Sequence, residues 1–271
     1  MKEKRTVAAV LLAVICLGIA AFFIGKIVRQ ELAYRKGDDT YDRIGQLVEG
    51  KEETPDGGAA DDDVPPSATS AIEDETSSEV QADTGANVPM IDFEALGKLS
   101  GNMKAWLYLP DSVINYPVAQ CEDNAYYLDH LADGTRNING CLFLDCKNAE
   151  DFSDENSIIY GHHMKNGSMF GSLDRYESQD YYDAHPVIYL VTERDKYRIE
   201  IFSAYTTSKD SDAYTLRFST KEEYQNWLIE RIRKSDVETD VTPTTADRVI
   251  TLSTCAYSFQ GARFVVHGKF V

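Results

Sequence analysis

The sequence predicts a mostly β domain, a barrel or sandwich of eight short strands, and three observations carry that expectation. Eight runs of four to ten residues after Trp106 are rich in Val, Ile, Leu, Tyr and Thr or alternate apolar with polar residues. Amphipathic helical spacing occurs at only two places after residue 89, and no internal repeat is evident. Below about residue 88 the composition changes to an apolar run and then an acidic one, so the globular part is confined to residues 89–271.

From the N-terminus, residues 1–5 hold Lys2, Lys4 and Arg5, and an uncharged run from Val7 to Ile24 follows. That run is long enough to cross a bilayer, near the lower limit. Gly18-Ile19-Ala20 would also suit a signal-peptidase site, but the apolar run continues through Phe22, Phe23 and Ile24, which favours an uncleaved anchor over residues 6–28. Lys26, Arg29, Arg35 and Lys36 balance the basic residues before the span, so charge alone does not orient it. Residues 29–88 are expected to be a disordered spacer. Between Asp38 and Asp83 fifteen Asp or Glu stand against Arg43 and Lys51, which is −13 of the chain's formal −18, among Gly57-Gly58, Asp61-Asp62-Asp63 and Pro65-Pro66. Such a stretch has too little apolar surface to offset ordering entropy.

The globular part opens with a short helix over Phe93–Leu99. The predicted strands are 106–109, 113–118, 140–144, 157–160, 187–192, 197–206, 248–254 and 264–271, with Glu193-Arg194-Asp195-Lys196 as a hairpin turn. A second helix is expected after Ser219, where Ser219 and Glu222 suggest a capping box and Tyr224, Trp227, Leu228 and Ile232 recur at helical spacing. Residues 84–271 remain acidic and show no basic stripe, which disfavours nucleic acid as a partner.

Chemistry concentrates in two motifs. In Thr251-Leu252-Ser253-Thr254-Cys255 a strand ends in a cysteine, and after a seven-residue turn the next strand begins at Arg263. Antiparallel pairing would set thiol beside guanidinium, a nucleophile next to a donor for an oxyanion. Upstream, Ser157 to Tyr160 runs into Gly161-His162-His163, where a strand end releases an acid or base. Cys16 falls in the apolar span, while Cys121, Cys141 and Cys146 accompany Cys255 in a domain large enough not to need disulfides. Zinc is disfavoured, because Cys141 and Cys146 are loosely spaced and of opposite parity in an extended segment.

These motifs resemble those of the sortases, cysteine transpeptidases of Gram-positive cell surfaces. Asp92-Phe93-Glu94-Ala95-Leu96, Trp106 to Pro110, Ile114 to Val118, Asp123 to Leu128, Gly140 to Asp145 and Tyr160 to Met164 look like class B, so the resemblance covers about residues 90–271. It implies an eight-stranded sortase-type β-barrel with an N-terminal helix and a helix before the Cys255 strand. It assigns catalysis to Cys255, His162 and Arg263, with His163 a neighbour, and substrate binding to Asn124, Leu128, Tyr160 and Ser253. Tyr224 is a substrate contact by the same resemblance, with core packing as its alternative. One departure is that Ala256 to Ala262 has no acidic residue, where class B motifs often carry one. The implied partners are surface proteins bearing a sorting signal, a peptidoglycan or pilin amine, and the cell membrane, with a single-pass anchor and the catalytic domain outside. The chemistry requires no cofactor, and no metal site is expected.

Other cysteine enzymes fit the order of residues less well. Papain-like proteases place cysteine before histidine at a helix start, and in L,D-transpeptidases arginine follows cysteine almost at once. An inactive surface scaffold with the same fold is the non-enzymatic alternative.

Overall fold

The computed structural model describes residues 2–48 and 88–271, with side chains from residue 14 in the first stretch. Residues 49–87, most of the expected spacer, lie outside the described residues. Eight strands close into a barrel: β1 (Met103–Tyr108), β2 (Asn115–Ala119), β3 (Leu142–Leu144), β4 (Asn156–Tyr160), β5 (Val187–Val191), β6 (Lys196–Ser208), β7 (Val249–Cys255) and β8 (Ala262–Phe270). The strand order around it is β1-β2-β3-β4-β7-β8-β6-β5. Each predicted strand has its counterpart. Pairing is antiparallel except for β2 with β3 and β4 with β7, two parallel contacts. Closure leaves no unpaired edge, and the inward side chains, among them Leu107, Leu142, Ile159, Leu190, Ile201, Leu252 and Val266, form the core.

Four α-helices accompany the barrel: α1 (Lys2–Val48), α2 (Phe93–Leu99), α3 (Gln179–Ala184) and α4 (Lys221–Lys234). Helix α2 is capped by Asp92, whose carboxylate accepts from the Ala95 amide at 2.9 Å. The cap of α4 lies one residue beyond the expected Ser219–Glu222 box. Thr220 Oγ1 accepts from the Glu223 amide, and the Glu223 carboxylate reaches back to the Ser219 amide at 2.9 Å. The apolar face of α4 seals a second, smaller core of Tyr224, Trp227 and Leu228 against Phe202 and Val249.

The N-terminal segment departs from the expected spacer. Helix α1 runs through the expected boundary at residue 29, and its last turns dock on the barrel. Tyr41 and Ile44 are buried. The Tyr41 hydroxyl donates to the Gly140 carbonyl at 2.5 Å, and its ring meets Tyr116 edge to face at 5.2 Å. Asn137 Nδ2 donates to the Ala33 carbonyl, Asn139 Nδ2 to Asp38, and Asn166 Nδ2 to the other Asp38 oxygen, each at 3.0 Å. A β-carbon on Gly37 would lie 2.3 Å from Asn139 Nδ2, so glycine is what permits this approach. Among the described residues no helix is long and apolar enough to cross a membrane.

Candidate active site

Strand register builds the site. Parallel pairing of β4 with β7 sets Tyr160 beside Ser253, and it continues past the strand ends, where the Gly161 amide donates to Ser253 O at 3.1 Å and Thr254 Oγ1 to Gly161 O at 2.9 Å. One residue further, His162 stands at the level of Cys255. On the other flank β7 and β8 are antiparallel, with Cys255 directly opposite Arg263. Three adjacent strand ends thus bring together histidine, cysteine and arginine. Cys255 and Arg263 are half-buried, at the rim of an otherwise closed barrel.

His162 is oriented from the opposite wall. Its Nε2 lies 2.6 Å from the Leu128 carbonyl. A carbonyl can only accept, so Nε2 carries a proton and Nδ1 is the nitrogen left to exchange one. Behind this contact sits Gly140, at φ +61°, where a β-carbon would fall 2.5 Å from Tyr127 O and 3.1 Å from His162 Cδ2. The close approach and the left-handed backbone both require glycine. Gly140 is also the residue whose carbonyl receives the Tyr41 hydroxyl, so helix α1 buttresses the wall that holds His162. His163 is tied elsewhere, through Nε2 to Asp174 at 2.8 Å.

The predicted binding residues fall into three groups. Tyr160 and Asn124 converge on one carboxylate: the Tyr160 hydroxyl and Asn124 Nδ2 both donate to Asp145 Oδ2, at 3.0 and 2.9 Å. Burial, then the Asp145 charge, push the Tyr160 phenol far above its ordinary value, so it stays protonated and a donor. Leu128 is exposed at the rim. Ser253, by contrast, is 1% exposed and its hydroxyl is 2.9 Å from the Tyr214 hydroxyl, so it supports Tyr214 and has no open surface for a substrate. Tyr224 is not a groove residue at all. It is 2% exposed beneath α4, and its hydroxyl lies 3.1 Å from the Glu155 carbonyl and 2.9 Å from that of Asp247. The expected contact is corrected to core packing, because the amphipathic face of α4 turns toward β6 and β7.

Sequence reasoning missed Tyr214 and Asp145. Tyr214 ends the 3-10 turn Asp212–Tyr214, is half-buried, and stacks on Tyr160 with centroids 6.2 Å apart. Burial raises its phenol above the ordinary value, while the Ser253 hydrogen bond and the Arg263 charge oppose that shift. Its position in the chain gives no signal, since a loop between strand and helix brings it there. Asp145 was visible only as the end of a motif, and its role appears when Asn124 and Tyr160 meet it in space.

Comparisons with known proteins agree with this fold. The Sortase domain family matches residues 107–271. Sortase B of Listeria monocytogenes is 36% identical over 178 residues, 65% of this chain and 72% of its own. Among solved structures, a Staphylococcus aureus sortase B–substrate complex superposes with a TM-score of 0.63 at 35% identity, covering 66% of this chain and 84% of that one. The crystal structure of sortase B from B. anthracis in complex with AAEK1 gives 0.69 at 30% identity, over 89% of this chain and 98% of that one. An eight-stranded barrel, a Sortase domain match over residues 107–271 and sortase B relatives in both sequence and structure make this chain a class B member of the sortase family of cysteine transpeptidases.

Proposed function

We propose that the chain cleaves the C-terminal sorting signal of surface proteins at a threonine carbonyl and transfers the acyl group to an amine. Cys255 Sγ, its proton passed to Nδ1 of His162, attacks the carbonyl carbon, Arg263 receives the negative charge on the oxygen, and collapse breaks the C–N bond to leave a thioester on Cys255. His162 gives its Nδ1 proton to the departing amine. An incoming amine then attacks the thioester, His162 takes up its proton, and Cys255 leaves as thiolate. The observation that carries this reading is Cys255 directly opposite Arg263 across β7 and β8, with His162 two residues past the end of the neighbouring β4. Leu128, Tyr160 and Tyr214 supply the groove walls, with Asn124 and Ser253 behind them. The accepting amine is that of peptidoglycan or of a pilin.

The same reading places the enzyme at the cell membrane with its catalytic domain outside and residues 6–28 as anchor. What supports this is the row of exposed apolar side chains on α1, from Val14 and Ile15 through Phe22, Phe23 and Ile27, which have no protein partner to cover them.

The test is a panel of fluorogenic peptides that share a threonine and vary in the residues on both sides of it, each with triglycine or a lysyl or diaminopimelyl amine. Wild type is expected to release the C-terminal fragment, accumulate a thioester on Cys255 and ligate one of the amines; Cys255→Ala is expected to do none of these. A folded wild type that cleaves no member and forms no adduct at Cys255 would sink the proposal.

A further inference from the structure

A buried polar chain crosses four neighbouring strands behind the cysteine. Tyr205 on β6 lies 3.2 Å from Nε2 of His267 on β8, whose Nδ1 lies 2.8 Å from Thr251 Oγ1 on β7, which lies 2.7 Å from Asn156 Oδ1 on β4. His267, Thr251 and Asn156 are all 0% exposed. The direction of every bond follows from the far end. Asn156 Nδ2 donates to the carbonyls of Ala213 and Thr215, at 3.2 and 2.8 Å, so its Oδ1 is the acceptor that faces Thr251. The single Thr251 hydroxyl proton therefore goes to Asn156. Thr251 Oγ1 must then accept from His267, which places the imidazole proton on Nδ1 and leaves Nε2 bare to accept from the Tyr205 hydroxyl.

The chain ends on the two carbonyls that flank Tyr214 in sequence. The Asn156 amide adds a third bond, to the Leu216 carbonyl at 3.2 Å. Tyr214 is then held at its other end by Ser253. Thr251, Ser253 and Cys255 alternate along β7 and share one face. One face of one strand thus carries the thiol, fixes the hydroxyl of Tyr214, and fixes its backbone through Asn156.

We infer that Thr251, Asn156 and His267, with His267 locked as the Nδ1–H tautomer, are positioning residues that set Tyr214 against the sorting signal. The inference rests on the reading of Tyr214 as a wall of that groove. A core that needed only volume would use valine at 251; the hydroxyl is retained because two buried polar groups depend on it.

The discriminating pair is Thr251→Val, which keeps shape and removes the hydroxyl, and Thr251→Ser, which keeps the hydroxyl. In the full chain, Thr251→Val is expected to raise KM for the sorting-signal peptide about tenfold, the scale of one lost buried hydrogen bond, with kcat changed less than about threefold. Amide hydrogen exchange over residues 211–217 is expected to quicken about tenfold in the same variant while α4 and β8 stay protected. Thr251→Ser is expected to restore both. If valine and serine behave alike in exchange, Thr251 is ordinary core and the inference fails. Imidazole nitrogen resonances of wild type provide an arm that needs no variant to fold: Nδ1 of His267 is expected protonated and Nε2 bare, and the reverse would overturn the chain of bonds. Neither exchange nor tautomer requires turnover, so a protein that cleaves no peptide would sink the assigned reaction and leave these two arms to decide the positioning.

Discussion

Arg263 spends one Nη1–H on the Ala262 carbonyl at 2.9 Å, a bond that ties the guanidinium to its own strand end, where the residue paired with it is Cys255. Its planar fork can offer two parallel donors to an oxygen, which lysine cannot. Arg263→Lys is therefore expected to lower kcat by about two orders of magnitude with the fold intact, the cost of removing one oxyanion donor. Near-normal turnover would make Arg263 a structural charge. Tyr224 gives the opposite expectation. Tyr224→Phe removes a hydroxyl that serves buried carbonyls of Glu155 and Asp247, so about 1–3 kcal/mol of stability should go while KM stays unchanged. Urea unfolding beside peptide kinetics checks both parts, and a rise in KM alone would return Tyr224 to the groove.

Helix α1 changes the account at the scale of elements. Its last turns bury Tyr41 and Ile44 and reach the active site through one relay: Tyr41 hydroxyl to Gly140 carbonyl, Gly140 against the His162 ring. A chain that begins at Val88 loses these contacts. Burial of two such side chains is worth about 3–6 kcal/mol, an upper figure because the unfolded chain already hides some surface. The truncated chain is expected to unfold at clearly lower urea than one that begins at Leu32, and to turn over more slowly at temperatures where both are folded. Equal stability and equal turnover would reduce α1 to a spacer. The signal for this docking was in the sequence, as Tyr34, Gly37, Tyr41 and Ile44 recur at three- and four-residue spacing, but the surrounding acidity dominates a composition reading.

For the whole molecule, acid sensitivity has an identifiable source. Burial holds the His267 imidazole well below its ordinary value; Arg231 and Lys234 push the same way and Asp212 opposes them. His185 is lowered too, by burial and then by Arg175. Below the ordinary value near 6.5 the unfolded chain takes up protons that the folded one refuses, so stability is full above that pH and declines as pH falls. For the fully buried His267 the slope approaches about 1.4 kcal/mol per pH unit, and the more exposed His185 adds less. Urea unfolding of the full chain in mild detergent between pH 7.5 and 5 should show this decline, and His267→Gln should flatten it. A wild type with constant stability over that range would contradict the burial of His267 as a neutral ring.

By itself the sequence determined the eight strands, the helix after Ser219, the thiol and guanidinium facing each other across a turn, and the histidine released by Gly161. Each of these depends on local alternation, on capping, or on a turn of fixed length, and all are properties of neighbours in the chain. Only the tertiary structure decided that Tyr214 stacks on Tyr160, that Asp145 receives Asn124 and Tyr160, that Ser253 and Tyr224 are buried, and that Tyr205, His267, Thr251 and Asn156 form one chain of bonds. Those assignments turn on which side chains meet after β4, β7, β8 and β6 are brought side by side, across separations of up to about a hundred residues. A polar residue in a strand reads the same whether water or a buried partner satisfies it, and closure of the barrel is what selects between the two.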